Sequence, residues 1–145
     1  MDYVLGIDVG GTNLVAGCVA SDGSRLDGLL TEPTRAEEGA DGVVARMLNL
    51  ARRSMDALAV AVPNATVLGV GVGSPGPLDT QRGIVLLTPN LGWVDFPLRD
   101  RVAAGLGLTA SLDNDANCAV LGEHWRGAAR GTRQAIGITI GTGIG

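Results

Sequence analysis

The stretch Tyr3-Val4-Leu5-Gly6-Ile7-Asp8-Val9-Gly10-Gly11-Thr12-Asn13 decides how the chain is read. Tyr3 to Asp8 is a short apolar run fit for a buried strand, and the paired glycines behind it let the backbone turn sharply. A second strand, not a helix, follows over residues 12–20. The polar cluster Ser21-Asp22-Gly23-Ser24 then returns the chain as a third strand over residues 25–31. Three short runs joined by two turns of Gly, Asp and Ser describe an antiparallel meander.

Working outward, the period changes over residues 42–62. Val43, Val44, Met47, Leu48, Ala51, Met55, Leu58, Ala59 and Val62 recur at helical spacing, with Arg46, Asn49, Arg52, Arg53 and Asp56 on the other face. Asp41 reads as the N-cap and Pro63-Asn64 as the stop. Residues 66–72 read as a central strand, and residues 73–92 as a Pro- and Gly-punctuated segment with a hairpin tip at 78–83. Asp95 reads as the cap of a short helix carrying Leu98, Val102 and Leu106. A strand at 108–113, a helix at 115–125 and a last strand at 134–140 complete the pattern. Three strands, a helix and then alternating strands and helices predict an α/β fold with mixed strand directions. The 145 residues are the size of one domain. The chain stops just after a strand, inside a glycine-rich turn, so it is expected to be the first lobe of a longer protein.

Composition narrows the function. An apolar fraction of 46% with 18% charged residues excludes a disordered chain, and 23 glycines without a G-X-Y period exclude collagen-like repeats. Eleven basic residues against fifteen acidic give a net charge of −4, which argues against nucleic acid or an anionic membrane as a general partner. All the basic residues are Arg. The absence of Lys excludes a Schiff base, a catalytic Lys and the Lys-dependent P-loop. Cys18, Cys118 and His124 form no metal-ligand set, so no zinc site is expected in these residues. The separated cysteines, with no signal peptide and no bilayer-spanning run expected, indicate a reducing cytoplasmic setting.

Four loops carry candidate chemistry. Asp8-Val9-Gly10-Gly11-Thr12-Asn13 joins strand to strand and presents amide N–H groups that suit phosphate oxygens. Thr12 adds a hydroxyl, and Asp8 at a strand end is placed to hold Mg²⁺ through water. An ordinary Gly-Gly hairpin anchored by Asp8 accounts for the same residues, and the loop alone leaves both readings open. Gly141-Thr142-Gly143-Ile144-Gly145 repeats the pattern after a second apolar strand, so the two turns read as paired clamps on one polyphosphate. Gly71-Val72-Gly73-Ser74-Pro75-Gly76 matches G-x-G-x-x-G, but Pro75 and Pro77 follow where a dinucleotide site needs a helix start. Ser74 is no nucleophile elbow either, because Val72 stands where G-x-S-x-G needs glycine. A tight loop lining a pocket for a polar ligand, or a plain turn, fits better. Finally, a strand delivers Leu112-Asp113-Asn114-Asp115-Ala116-Asn117 to a helix start. Asn114 or Asp115 reads either as an N-cap or as a site pair, Asp115 taking a proton from a substrate hydroxyl and Asn114 both donating to and accepting from another. Asn90, in Thr88-Pro89-Asn90-Leu91-Gly92-Trp93, is a further amide suited to sugar hydroxyls. Trp93 is read as packing before sugar stacking. Glu123 and His124 are read as structural or exposed, and Arg126, Arg130 and Arg133 as solvated surface.

Together these motifs resemble the N-terminal lobe of the ROK family of sugar kinases, nearest its bacterial glucokinases. They are Asp8 to Asn13, Gly73-Ser-Pro-Gly-Pro-Leu-Asp79, Pro89-Asn-Leu-Gly-Trp93, Asn114-Asp-Ala-Asn117, Leu121-Gly-Glu123 with Gly127-Ala-Ala-Arg-Gly131, and Gly141-Thr-Gly-Ile-Gly145, in that order. The resemblance implies an actin-like ATPase (ribonuclease-H-like) domain, a mixed five-stranded sheet flanked by helices. It implies ATP- and Mg²⁺-dependent phosphorylation of a hexose, glucose first, to the 6-phosphate. By position, Asp8, Gly10, Gly11, Thr12 and Asn13 match the first phosphate loop and Gly141, Thr142 and Gly143 the second. Asp115 matches the catalytic base, and Asn114, Asn90 and the Ser74, Pro75, Gly76 loop match sugar contacts. Family repressors carry a winged helix-turn-helix ahead of the first phosphate loop. The short stretch ahead of Asp8 implies the kinase branch instead. The family's second lobe, through which related kinases dimerise and which carries a His/Cys zinc site, has no counterpart in residues 1–145. The lobe alone is therefore expected to be inactive. A sugar-sensing domain without catalysis is the alternative, against which Asp8 and Asp115 both being present argues. A metal-dependent nuclease on the same fold is disfavoured by the Gly-Gly-Thr loop and the acidic charge.

Overall fold

The computed structural model describes residues 1–140. The expected second phosphate clamp, Gly141, Thr142 and Gly143, lies outside the described residues.

The meander forms as the alternation predicts: β1 (Asp2–Val9), β2 (Asn13–Ala20) and β3 (Leu26–Pro33). In β1 every second residue is buried, so Tyr3, Leu5, Ile7 and Val9 face the core while Val4, Gly6 and Asp8 line the opposite face. Helix α1 (Gly39–Ala61) covers the core face with Val43, Val44, Met47, Leu50, Ala51 and Leu58. Strand β4 (Thr66–Ser74) then enters the sheet parallel to β1. A small antiparallel sheet follows, made of β5 (Leu78–Asp79), β6 (Ile84–Thr88) and β7 (Trp93–Phe96). Helix α2 (Leu98–Leu106), strand β8 (Ala110–Asn114) and helix α3 (Asp115–Arg126) complete the order. The main sheet has five strands in the order β3-β2-β1-β4-β8, mixed as expected, with β1, β4 and β8 parallel.

Three local expectations are corrected. Asp41 is not the cap of α1. The helix starts three residues earlier behind a 3-10 turn (Ala36–Glu38), Glu38 is its N-cap, and Asp41 sits in the first turn, bonded to Arg101 at 2.7 Å. Asp95 caps no helix. It lies inside β7 with a positive φ of 47°, and α2 begins behind Pro97, whose ring holds φ near the helical value. Residues 134–140 form no strand: only Ile140 makes an isolated bridge. Their alternation is strand-like, but Ile136, Ile138 and Ile140 are exposed, and the segment joins neither sheet among the described residues. A strand needs a neighbour to take its hydrogen bonds and bury one face.

Gly28 shows what the close packing of β3 on α1 demands. It has φ +62° beside the irregularity in β2–β3 pairing, and a Cβ there would run into the Ser54 carbonyl of α1. Gly39 also has positive φ but faces open space. Gly28→Ala is therefore expected to destabilise the protein more than Gly39→Ala, by about 1–3 kcal/mol of added steric cost. Urea unfolding of the two variants measures this, and equal midpoints would refute the packing account.

Candidate active site

The site is assembled by strand register. Asp8 in β1 pairs with Gly73 in β4, Gly73 pairs with Asp113 in β8, and Ser74 pairs with Asn114. The carboxyl ends of three neighbouring parallel strands thus deliver Asp8, Gly73-Ser74 and Asp113-Asn114-Asp115 side by side, the edge at which open α/β sheets bind ligands. Gly73 lies between the two acids. A methyl group placed on it would sit 3.5 Å from Asp115 Cα, 3.8 Å from Asp8 Oδ1 and 3.6 Å from Cys118 Sγ.

Asp8 is exposed on the face of the sheet away from the core. Its carboxyl is nonetheless held above the ordinary carboxylate range, chiefly because the strands around it strip away water, and further because the Asp115 carboxylate repels its charge. No arginine lines the clefts on either side of this pair.

Beyond Asp8 the chain makes its glycine turn. The Gly10 N–H donates to the Asn13 carbonyl at 2.9 Å, and a Cβ on Gly10 would meet that oxygen at 2.7 Å. Buried Thr34 braces the turn from beneath: its hydroxyl donates to the Gly10 carbonyl at 2.6 Å and its N–H to the Thr12 carbonyl at 2.9 Å. Sequence reasoning missed Thr34. It stands 24 residues from Gly10, and only the return of β3 along β2 brings it there. Gly11, Thr12 and Asn13 remain exposed, so the outer rim of the turn is open.

Asn114 is the N-cap of α3. Its Oδ1 accepts from the N–H of Ala116 at 3.0 Å and of Asn117 at 3.2 Å. The acceptor end of this amide is therefore spent on the helix, and its Nδ2 is the end left for a ligand, in place of the two-way role read from the sequence. Asp115 Oδ1 accepts from the Ala116 N–H at 2.8 Å. Asp113 Oδ1 accepts from the Asn114 N–H at 2.7 Å and from Asn117 Nδ2 at 3.2 Å, tying strand end to helix start.

A cavity of about 400 Å³ joins these parts. Gly10, Gly11, Pro75, Gly76, Thr88, Pro89, Asn90 and Asp115 line it. Gly76, at φ +88°, runs so close to β6 that a side chain would strike the Leu87 carbonyl and come within 2.9 Å of Thr88 Cγ2. Ser74 does not line this cavity. It is fully buried, and its hydroxyl donates to the Pro75 carbonyl at 3.2 Å, so it holds the loop from inside. Trp93 is buried and stacked on Phe96 at 4.7 Å between ring centres. Glu123 accepts from the Ala128 N–H at 2.7 Å, and His124 Nε2 lies 2.9 Å from the Thr132 carbonyl, so both close the end of α3 away from the cleft.

The family model described as ROK family matches residues 4–145. The chain belongs to the ROK family. Its fold is accordingly the actin-like ATPase fold of ROK glucokinases. A glucokinase from Thermotoga maritima is 38% identical over 143 residues, covering 98% of this chain and 43% of the relative. The crystal structure of a ROK family glucokinase from Streptomyces griseus, in complex with glucose and AMPPNP, superposes with a TM-score of 0.81 at 36% identity, over 99% of this chain and 43% of that one. A relative from Caldicellulosiruptor named putative xylose repressor is 42% identical over 79 residues, 54% of this chain and 20% of its own. The chain thus spans less than half the length of these relatives.

The crowding of Asp8 and Asp115 has a pH signature. Folding raises the pKa of Asp8, so above the ordinary carboxylate range the native state carries a charge it accommodates poorly, and stability is lost as pH rises through the native pKa. Asp8→Asn is expected to raise the melting temperature at pH 7 in low salt. The gain fades as pH falls toward 3.8, the ordinary value, and is gone below it, where both states hold the proton. Thermal melts at the two pH values measure it, and a lower melting temperature at pH 7 would refute the repulsion.

Proposed function

We propose that the full-length protein is an ATP-dependent hexose kinase, with glucose its first candidate substrate, and that residues 1–145 are its N-terminal lobe. The convergence of Asp115, the Gly10–Gly11 turn and Asn90 on one cavity of about 400 Å³ carries the reading. A hexose hydroxyl and a terminal phosphoryl group both need to meet there. The family membership and the two glucokinase relatives support it.

Each group then has a task. The Asp115 carboxylate accepts the proton of the sugar 6-hydroxyl as that oxygen bonds to the γ-phosphorus and the bond to the ADP oxygen breaks. The amides and Thr12 hydroxyl of the glycine turn hold phosphate oxygens. Asn114 Nδ2 and Asn90 orient the sugar, so that most of the acceleration comes from positioning. The residues present suit a divalent cation, because the Asp8 and Asp115 carboxylates share one cleft and repel each other with no arginine lining it to balance them. Asp8 would hold Mg²⁺ through water, and the ion when bound offsets phosphate charge. A cytoplasmic setting would supply the ATP that this reading requires.

A sugar-responsive regulator is the second reading, favoured by the relative named for xylose repression. Catalysis separates the two. In the full-length protein Asp115→Asn is expected to lower kcat by about 10²–10⁴-fold, with glucose affinity retained within about tenfold. A coupled ADP assay and calorimetry measure these. Near-normal turnover would overturn the assignment of Asp115, and a wild-type protein that binds glucose without turnover would favour the regulator.

A further inference from the structure

The cavity wall holds a polar group that none of these tasks uses. Thr88 is 3% exposed, and its Oγ1 is one of three buried side-chain polar atoms without a hydrogen-bond partner among the described residues. It stands at the end of β6 as the N-cap of the 3-10 turn Pro89–Leu91, the turn that carries Asn90, yet its side chain makes no capping bond. A second such atom, Trp93 Nε1, belongs to its cross-strand partner: Thr88 and Trp93 pair in register at the base of this loop. Two of the three unpaired groups therefore bracket the Asn90 turn. Thr88 also abuts Gly76 through its methyl group and lines the cavity with Gly76, Asn90 and Asp115.

A buried hydroxyl without a partner is costly, and one kept on the wall of a cavity calls for an explanation that a ligand can supply. We propose that Thr88 is a further sugar-binding residue, whose hydroxyl is completed by a hydroxyl of the bound hexose on the wall between Gly76 and Asn90. This rests on the hexose-kinase reading. The hydroxyl serves as a specificity determinant, because a site built around a polar partner rejects the analogue that lacks it. Thr88 thus contributes to which hexose is accepted, while Asp115 acts on the 6-hydroxyl.

Thr88→Val keeps the shape and removes the hydroxyl. In the full-length protein it is expected to weaken calorimetric glucose binding about tenfold, equivalent to about 1.4 kcal/mol. The sugar KM rises with the ATP KM unchanged, and the melting temperature without sugar stays level or increases. Thr88→Ser restores affinity. Across the monodeoxyglucose series, the analogue that loses affinity for wild type but not for Thr88→Val identifies the sugar hydroxyl. A merely structural hydroxyl predicts the opposite: unchanged affinity and a lower sugar-free melting temperature, either of which overturns the proposal. If the Val variant does not fold, Thr88→Ala against Thr88→Ser makes the same comparison. Wild-type protein that binds no hexose sinks the kinase reading and this proposal together. Wild-type binding with an indifferent Thr88→Val sinks this proposal alone.

Discussion

The parallel pairing of β1, β4 and β8 is the constraint on which the rest depends. In a parallel sheet, neighbouring strands end at the same edge, and their register decides which residues meet there. Here Asp8, Gly73 and Asp113 lie on one line across three strands, so residues more than a hundred positions apart in the chain become neighbours. A slip of one residue in β1 would turn Asp8 into the core and bring Val9 out. The buried row Tyr3, Leu5, Ile7 and Val9 prevents that slip, because moving it would expose the residues that seat α1. The apolar core thus fixes the position of the acids.

The edge is costly to build. Asp8 is crowded by desolvation and by Asp115, and no arginine lining the clefts relieves it. A fold selected only for stability would place an amide or a cation there. The arrangement makes sense where a positively charged or proton-bearing species completes it. The unpaired Thr88 hydroxyl and Trp93 indole N–H, at the base of the Asn90 turn, have the same character. By contrast, Asn114 and Ser74 are satisfied within the protein, one by helix capping and one by the Pro75 carbonyl. The cleft therefore mixes groups that hold the fold with groups left for a ligand.

Much was legible from local pattern. The meander, the long helix, the central strand and the helix behind Asp115 follow from periods of two and 3.6 and from turn residues. The glycine turn and the acid-amide cluster stood out by residue type, although each also reads as a plain turn or a helix cap. The errors came where local signals competed. Asp41 and Asp95 both look like caps, but Glu38 and Pro97 hold those positions, since the path of the chain into each helix decides which residue is non-helical. Residues 134–140 alternate as a strand should, yet a pattern supplies no partner.

The sequence by itself determined most of the strands and helices, which turns bend sharply, and which side chains bear groups suited to phosphate, proton or sugar chemistry. These follow from backbone freedom, side-chain period and functional groups, all of which are properties of short stretches. Only the tertiary structure decided that Thr34 braces the glycine turn, that Asn114 spends its oxygen on a helix, that Ser74 is sealed inside, and that Asp8 and Asp115 lie on either side of Gly73. Those depend on strand order and register, which are set by burial of the whole core and are written in no single segment.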